Sequence, residues 1–395
     1  MAAEEFDEWF ATMGVAFAAD PSPEQLERAK RRHRLERSMT ARDGEQLVAT
    51  FGSFPFETTV PGGQLPTSGV SGVAILPTHR RRGITRRLMV EHFSDCIERG
   101  EPLATLWASE PAIYGRFGYG LAARHHDLKL TVRPGMFVGA PASGHEFRLI
   151  DRDEALEVVP GLFDVERQRR PGMFTRDGSW WEGLLSDPPD RREGWSAHRR
   201  VVASVDGVDV GYAIFRAKWN DEGRQILRLS EAFGADDTSQ RAVWQFLTEI
   251  DLVDEVVNWN DPIDRPFDWW LVDPRLAARK VSDALYLRLV DVRAALQERS
   301  YQRDGTVTLA VADPVCPWNE KTYRLTVSAG RGLCEIVDDD PDVSVDVAAL
   351  ASAYLGDRSP FELARVGRVT GNTEAISLLG DMLRCDVAAY CQEMF

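Results

Sequence analysis

The feature that most constrains the fold of this chain is a short apolar strand followed by a turn and an amphipathic helix. Val70, Val73 and Ile75 predict the strand, and Pro77 ends it. Apolar residues then recur at steps near four and predict one stripe of a helix: Ile84, Leu88, Met89, Phe93 and Ile97. Strands and helices that alternate in this way indicate an α/β fold.

The charge at the start of this helix is unusual. Five arginines crowd it: Arg80, Arg81, Arg82, Arg86 and Arg87. A helix N-terminus already carries partial positive charge, so cations there are mildly unfavourable. A bound anion reverses that penalty, because arginines and free backbone N–H groups then face it together. An exposed basic helix start or a localisation signal is the alternative, but the strand before the turn and the helix after it favour phosphate binding.

The turn also matches a known pattern. Arg80-x-x-Gly83-x-Thr85 resembles the acetyl-CoA pyrophosphate loop of the GNAT acetyltransferases, whose usual form is Gln/Arg-x-x-Gly-x-Gly/Ala. Thr85 departs from the last position, where its side chain narrows the approach to the backbone. The resemblance implies that amides and side chains of the turn bind the pyrophosphate. The candidates are Arg80, Arg81, Arg82, Gly83, Ile84, Thr85 and Arg86.

Length and composition limit the classes of function. A chain of 395 residues predicts two or three domains. Apolar residues make up 44% and charged residues 28%, which is ordinary for a globular protein with a real core. The net charge of -15 argues against a nucleic-acid partner, which requires a basic face. It favours cationic small molecules such as amines, although an acidic balance that serves only solubility remains the alternative.

The cysteines and histidines point to neither disulfides nor a metal. The cysteines are scattered and odd in number: Cys96, Cys316, Cys334, Cys385 and Cys391. The pair His125-His126 has no third ligand nearby, so we expect no metal. The first residues are acidic and lack the apolar segment of a signal peptide. No apolar run is long enough for a membrane span, so we expect a cytoplasmic protein without a membrane partner.

The order of predicted elements indicates a duplication. Ser22, Pro23 and Gln25 predict a capped helix start in the first segment. Further strands are predicted at 46–54 and 103–109, and a Gly- and Pro-rich linker follows residue 132. The second segment is predicted to contain strands at 201–205, 210–215, 226–235 and 255–259 and a helix at 239–252 capped by Asp237 or Thr238. It repeats the strand, strand, helix, strand order but has no arginine cluster, so this copy should not bind CoA.

The third segment begins near residue 291. We predict helices at 292–297, 343–355 and 373–382, and antiparallel strands at 306–311 and 323–327. Four tryptophans of the second segment could line a substrate cavity, although large aromatic side chains more often belong to the core. They are Trp180, Trp181, Trp269 and Trp270.

Two stretches, 76–83 and 108–120, resemble the enhanced intracellular survival (Eis) family of acetyltransferases, and a looser likeness covers essentially the full length. The resemblance implies tandem GNAT folds, the second degenerate, followed by a sterol carrier protein-like domain. The implied domains are a catalytic one at 1–132, a second one without the CoA loop at 133–290, and the last at 291–395. It also implies a homo-hexamer that uses acetyl-CoA to acetylate amines such as aminoglycosides, lysine side chains or polyamines.

The resemblance also implies roles for single residues. The backbone N–H of Val73 would polarise the thioester carbonyl, and Val73 and Ile75 would pair with the pantetheine arm. Ser109 would lie near the thiol, and Tyr114 would protonate the leaving thiolate, with Tyr119 as its rival. A phenol of pKa ~10 is a weaker acid than a thiol of pKa ~8.5, so the transfer is uphill by roughly 2 kcal/mol unless the site assists it.

The general base that the family implies is the carboxylate of the last residue, here Phe395. A free carboxyl of pKa ~3.5 is a weak base, so burial must raise its pKa, or it must act by electrostatics or through a water. Met394 stands where relatives can carry an acidic residue, and Glu393 need not replace it. Two alternatives stay open: a carrier of apolar ligands through the C-terminal domain, and a scaffold that senses acyl-CoA without turnover.

Overall fold

The computed structural model describes residues 1–140 and 142–395. The chain forms two units. One comprises 1–123, 171–174 and 284–395, and the other comprises 124–170 and 175–283. Among the described residues, every helix is too short or too polar to cross a bilayer.

The N-terminal part of the first unit is an α/β arrangement with a long hairpin. Its elements are α1 (Phe6–Ala16), α2 (Pro23–Arg32), β1 (Met39–Asp43), β2 (Gln46–Val60), β3 (Gly63–Ile75), α3 (Ile84–Glu98), β4 (Leu103–Trp107), α4 (Pro111–Tyr114) and β5 (Gly120–Leu121). The predicted capping box of α2 is confirmed. The N–H of Gln25 donates to the hydroxyl of Ser22 at 3.3 Å, and the N–H of Ser22 donates to Oε1 of Gln25 at 2.7 Å.

The second unit contains the strands and helices of residues 124–283 other than 171–174. They are β6 (Arg124–Thr131), β7 (His145–Leu149), α5 (Arg152–Arg169), α6 (Gly178–Leu184), β8 (Arg199–Val205), β9 (Val208–Trp219), β10 (Gln225–Gly234), α7 (Asp237–Glu249), β11 (Val253–Pro262), α8 (Phe267–Trp270) and β12 (Ala277–Asp283). The predicted cap of α7 at Asp237 or Thr238 is wrong. Asp236 caps the helix instead, because its carboxylate accepts the N–H of Ser239 at 2.7 Å.

The C-terminal part of the first unit contains a smaller sheet. Its elements are β13 (Leu285–Leu289), α9 (Val292–Glu298), β14 (Gly305–Ala312), β15 (Thr322–Ser328), β16 (Arg331–Val337), β17 (Val343–Asp346), α10 (Val347–Tyr354), α11 (Pro360–Arg365), β18 (Val369–Gly371) and α12 (Thr373–Leu383). The helix predicted from 343 is wrong in its first turn. Residues 343–346 pair with β14 and β18, and Asp346 then caps α10 by accepting the N–H of Ala349 at 2.9 Å.

Strand pairing crosses the domain boundaries that the sequence suggests. The first unit contains a six-stranded sheet in the order β1-β2-β3-β4-β13-β5 and a five-stranded sheet in the order β16-β15-β14-β17-β18. The second unit contains the seven-stranded sheet β12-β6-β11-β10-β9-β8-β7. Thus β6, which lies before residue 132, belongs to the second unit, and β13, which lies before residue 290, belongs to the first. The domain limits themselves stay a prediction.

A buried ion pair fastens the C-terminal part to the six-stranded sheet within the first unit. Arg288 of β13 donates to Asp313, and neither side chain is accessible to solvent. The same carboxylate group accepts the N–H of Cys316 at 3.0 Å and the amide of Asn319 at 3.0 Å. Because an unpaired buried charge is costly, this satisfied carboxylate fixes β13 against the loop that follows β14. This ion pair therefore attaches the C-terminal part of the first unit to the six-stranded sheet that carries the site.

Candidate functional site

The six-stranded sheet opens between β3 and β4. The two strands pair in parallel only at 67–69 with 103–105, although β3 runs on to Ile75 and β4 to Trp107. The N–H of Leu76 donates to the carbonyl of Val48 at 2.9 Å. By strand alternation, the backbone groups of Ile75 and Val73 then face away from β2, toward the open edge. Val73 and Ile75, which the family resemblance predicts to pair with the pantetheine arm, thus lie on a strand edge that β4 leaves unpaired.

A bulge in β3 turns the backbone just before Val73. The register with β2 shifts between Thr50 and Gly52, opposite Gly72. Gly72 has a φ of +63°, and a Cβ there would lie 2.7 Å from the ring of Trp9. The hydroxyl of Thr50 donates to the Gly72 carbonyl at 2.7 Å. The bulge, which redirects the next N–H, therefore requires glycine. Sequence analysis missed it, although a glycine inside a strand is the usual signal.

The arginine-rich turn adopts a shape that suits an anion. Arg81 and Gly83 both have left-handed backbone, with φ of +64° and +78°. Gly83 is the N-cap of α3 and supplies no side-chain acceptor, and the first turn of the helix has no acidic residue. A Cβ on Gly83 would meet nothing within 4 Å, so its conformation and not space selects glycine. The first N–H groups of α3 are left for an external acceptor, as in other anion-binding nests.

The arginine side chains divide into two kinds. Arg82 approaches Asp43 at 3.4 Å and the carbonyl of Thr78 at 3.4 Å, so it is partly engaged within the protein. Nε2 of the buried His79 also contacts Asp43, at 3.2 Å, which makes this histidine part of the support for the turn. Four further arginines are exposed and have no ion pair with any described residue. They are Arg80, Arg81, Arg86 and Arg87.

Tyr114 and Tyr119 differ in access. Tyr114 ends α4 and is 8% exposed, and its hydroxyl has no hydrogen-bond partner among the described residues. Burial, and then the negative charge of Glu110, raise its pKa above the usual tyrosine value. Tyr119 packs edge-on against it, at 6.0 Å between ring centres, and its hydroxyl is sealed in the core without a partner among the described residues. Ser109 is exposed just beyond the end of β4. Tyr114 is the phenol that can exchange a proton.

The last residues of the chain are docked against the hairpin. The N–H of Tyr390 donates to the carbonyl of Pro171 at 2.9 Å. The segment 171–174 is itself bonded to β2, since the N–H of Thr59 donates to the carbonyl of Met173 at 2.8 Å. Residues 389–391 are buried. The C-terminus is therefore held by backbone pairing through a short segment that sequence analysis left unassigned.

Phe395 reaches the point where β3 and β4 part. Its ring packs edge-on against Phe56, with ring centres 5.1 Å apart, and against Phe174, with ring centres 5.5 Å apart. A Cβ on Gly69 would lie 3.1 Å from Cε2 of Phe395 and would overlap Phe56. Gly69 is the last residue of β3 that pairs with β4. The contacts thus bring Phe395 beside the opening that also exposes the backbone of Val73.

The residues before Phe395 point in different directions. Met394 is 64% exposed, whereas Glu393 is only 3% exposed. The side chain of Glu393 is therefore turned into the protein and does not take the outward place of the residue at 394. The sequence alone had left open whether Glu393 replaces an acidic residue at position 394.

A cavity of about 280 Å³ lies beside the bulge and the last two residues. Four aromatic side chains of α1 and the hairpin contribute to its wall, which also includes Arg32 and His33. Its lining residues are Phe6, Trp9, Phe10, Met13, Ala29, Arg32, His33, Gly52, Ser53, Phe54, Ser71, Gly72, Met394 and Phe395. An aromatic wall of this kind suits an organic cation. The sequence left open whether the tryptophans of the second unit line a cavity or belong to the core; Trp181 and Trp270 are buried, and Trp269 is 81% exposed.

The assembled parts suit group transfer between a phosphate-bearing molecule and a cation. These parts are an open strand edge, a turn that leaves helix N–H groups uncapped, a phenol without a partner among the described residues and a chain end docked on the hairpin. Among the described residues, no group of three or more His, Cys, Asp or Glu side chains could hold a metal ion.

Comparison with family models agrees with this description. The model described as an acetyltransferase (GNAT) domain matches residues 1–122, and a second model of that description matches residues 172–311. A sterol carrier protein domain matches residues 292–392. The predicted fold class, tandem GNAT folds with a sterol carrier protein-like domain, is confirmed.

Similar proteins cover nearly the whole chain. An uncharacterized N-acetyltransferase of Streptomyces coelicolor is 38% identical over 376 residues, which are 93% of this chain and 91% of that protein. N-acetyltransferase Eis of Mycobacterium tuberculosis is 31% identical over 358 residues, 87% of this chain and 85% of that protein. The crystal structure of Eis1 from Mycobacterium abscessus, at 28% identity, superposes with a TM-score of 0.87 over 100% of this chain and 98% of that one.

Proposed function

This chain belongs to the Eis family of GNAT N-acetyltransferases, and we propose that it transfers the acetyl group of acetyl-CoA directly to primary amines. Tyr114 is the proposed general acid, and the carboxylate of Phe395 is the proposed general base. The observation that carries this assignment is the placement of Phe395 against Gly69, where β3 and β4 separate.

The chain's own residues fit acetyl-CoA as the acyl donor. The unpaired edge of β3 offers the backbone of Val73 and Ile75 to the amide groups of the pantetheine arm, as an added strand would pair. The turn at 80–86 offers uncapped N–H groups and unpaired arginines to the pyrophosphate. Ser109, beyond the end of β4, completes the set near the thiol. We assign the main side-chain contacts to the pyrophosphate to Arg81 and Arg86, because Arg82 already contacts Asp43.

The reaction balances with the residues at hand. The amine nitrogen forms a bond to the acetyl carbon, and the bond from that carbon to sulfur breaks. The Val73 N–H stabilises the negative charge that develops on the carbonyl oxygen. The amine proton passes to the Phe395 carboxylate, and the Tyr114 hydroxyl gives its proton to the departing thiolate. Because the Tyr114 hydroxyl has no partner among the described residues, it is available to the sulfur.

The cavity beside Phe395 is the proposed amine site. Its aromatic wall attracts an ammonium group, and the overall charge of -15 draws cations to the protein. Aminoglycosides, lysine side chains and polyamines all present such amines. Exposed Met394 and buried Glu393 leave the outward position at 394 without a carboxylate, so we expect small monoamines to rival polycations as substrates. The hexamer and the cytoplasmic location remain part of the proposal.

A thiol-release assay tests the proposal directly. Purified protein with acetyl-CoA, a thiol-detecting dye and a panel of amines is expected to release CoA only with primary amines. Mass spectrometry should show the amine heavier by one acetyl group. The matched control replaces each amine by its N-acetylated form, which has no nitrogen to acylate. Thiol release from no amine at all would contradict turnover and favour a carrier or an acyl-CoA-sensing scaffold.

The turn should control the affinity for acetyl-CoA. We expect Arg86→Ala to raise the KM for acetyl-CoA about tenfold, because an arginine contact to phosphate is lost, and to change the kcat and the KM for the amine little. Arg365→Ala, which removes an equally exposed charge at the end of α11, is the matched control. Initial rates at varied acetyl-CoA measure both. Equal KM values in the two variants would remove Arg86 from the phosphate site.

A further inference from the structure

The cavity contains a histidine that the proposed chemistry does not use. His33 follows the last residue of α2 and lines the cavity together with Phe395. Its imidazole lies between two aromatic rings, with ring centres 4.7 Å from Phe6 and 4.5 Å from Trp9. A Cβ on Gly52, at the bulge, would lie 3.3 Å from Cε1 of His33. The ring is thus fixed against the bulge of the site.

The hydrogen bonds of Ser38 determine which imidazole nitrogen carries the proton. The Ser38 hydroxyl lies 2.8 Å from the carbonyl oxygen of Arg34 and 2.6 Å from Nε2 of His33. Each of these short contacts needs one proton, and the carbonyl has none to give. The single hydroxyl proton must therefore go to Arg34, and the proton of the other contact must belong to Nε2. In the neutral ring, Nδ1 is then the nitrogen with the free lone pair.

That lone pair is available from the cavity. Nδ1 of His33 has no hydrogen-bond partner among the described residues, yet it is not one of the polar atoms sealed from solvent. Burial lowers the pKa of His33 to about 4, so the imidazole is neutral near pH 7 and acts as an acceptor there. A neutral acceptor in an aromatic cavity matches the N–H groups of an amine or ammonium.

We propose that Nδ1 of His33 accepts a hydrogen bond from the amine of the acceptor substrate and orients its nitrogen beside the Phe395 carboxylate. The inference rests on the proposed function, since it presumes an amine in this cavity. Packing against Phe6 and Trp9 explains why the residue at position 33 has an aromatic side chain. It does not explain a ring fixed through Ser38 whose accepting nitrogen is neither hydrogen-bonded within the described residues nor sealed from solvent. His33 is therefore a substrate-binding residue, and proton removal stays with the carboxylate.

Paired substitutions separate binding from packing. His33→Phe keeps an aromatic ring and removes the acceptor, whereas His33→Asn keeps a polar acceptor near the place of Nδ1. We expect His33→Phe to raise the KM for the amine about tenfold, with kcat within about threefold and the KM for acetyl-CoA unchanged. His33→Asn should recover most of the affinity for the amine. His198→Phe is the control, because burial also lowers the pKa of that histidine to about 4 and its Nε2 likewise contacts a serine, Ser230, in the second unit.

The outcomes distinguish this inference from the proposed function. Wild-type KM in His33→Phe, or equal impairment in His33→Phe and His33→Asn, would overturn the role of His33 while leaving acetyl transfer intact. A wild-type enzyme that acetylates no amine would overturn the proposed function itself. If His33→Phe does not fold, as judged by its thermal melting, His33→Gln replaces it. Its amide extends toward the place of Nε2, so its KM should exceed that of His33→Asn.

Discussion

Two residues added after Phe395 are expected to abolish amine acetylation and to leave the affinity for acetyl-CoA nearly unchanged. The addition converts the proposed base into a neutral amide, while the Phe395 ring can keep its contacts with Phe56 and Phe174. An alkylammonium of pKa ~10.4 requires about 4.6 kcal/mol to deprotonate at neutral pH. Without a positioned carboxylate this cost is not offset at the site, so we expect kcat to fall by about a thousandfold or more.

The control for this experiment keeps the carboxylate and changes its neighbour. Met394→Ala alters an exposed side chain of the cavity wall and preserves the free carboxylate, so it should change the KM for the amine but keep kcat close to that of the wild type. Calorimetric titration with CoA and thermal melting should show that the extended chain is folded and still binds the coenzyme. An extended chain with wild-type kcat would refute the terminal base. Loss of CoA binding would show that the extension disturbs the opening itself.

Tyr114→Phe is expected to lower kcat by roughly a hundredfold to ten-thousandfold, the usual contribution of a positioned general acid. The phenyl ring preserves the packing of α4, and the hydroxyl that is removed has no partner among the described residues, so folding and the KM for acetyl-CoA should change little. Because burial raises the pKa of Tyr114, its acid form persists through the usual tyrosine range. The wild-type rate should therefore show no loss attributable to this phenol below pH ~10.

Tyr119→Phe is the matched control for the acid. Its hydroxyl is buried without a hydrogen bond, and an unsatisfied buried hydroxyl destabilises a core, so its removal should be neutral or stabilising. Initial rates and melting temperatures of both variants give the comparison. Comparable kcat losses in the two variants, or full activity in Tyr114→Phe, would remove Tyr114 from the mechanism.

Local signals predicted the parts of the fold that depend on neighbouring residues. The capping box at Ser22 and the start of α3 at the arginine turn follow from residues a few positions apart, and both are found. The predicted apolar stripe of α3 is confirmed except at its last residue. Ile97 is 41% exposed, and the adjacent Cys96 is buried instead. Near a helix terminus, fewer neighbouring elements remain to cover a side chain, so periodicity is a weaker guide there.

Contacts between residues that are distant in the chain could not be predicted from the sequence. Residues 343–346 continue the apolar pattern of α10, but they have strand partners on both sides, and pairing overrides helix propensity. Three aromatic side chains of the cavity wall come from α1, which lies far in sequence from the chain end that it faces: Phe6, Trp9 and Phe10. Gly69 and Gly72 have no local signature beyond interrupting a strand. Gly69 is required by the ring of Phe56 and lies next to that of Phe395, and Gly72 is required by the ring of Trp9.

The site residues were reached through resemblance and then placed by geometry. Neither the dipeptide Met394-Phe395 nor the segment 171–174 has a pattern that predicts its position. The backbone pairing of Tyr390 with Pro171 and of Met173 with Thr59 brings the chain end to the hairpin. Ser38 likewise determines the proton position on His33 only after the turn that follows α2 has formed. Such relations depend on tertiary contacts that no window of residues contains.

The strand β13 is synthesised long after its two neighbours in the sheet, which affects how this sheet forms during translation. Ribosomes release β4 and β5 long before they produce the strand that lies between them in the sheet. Until then the nascent chain presents bare strand edges, which are prone to pairing with other polypeptides. The opening between β3 and β4 therefore acquires its finished support only after β13 has been made, and a fragment ending at residue 123 would lack an interior strand of its own sheet.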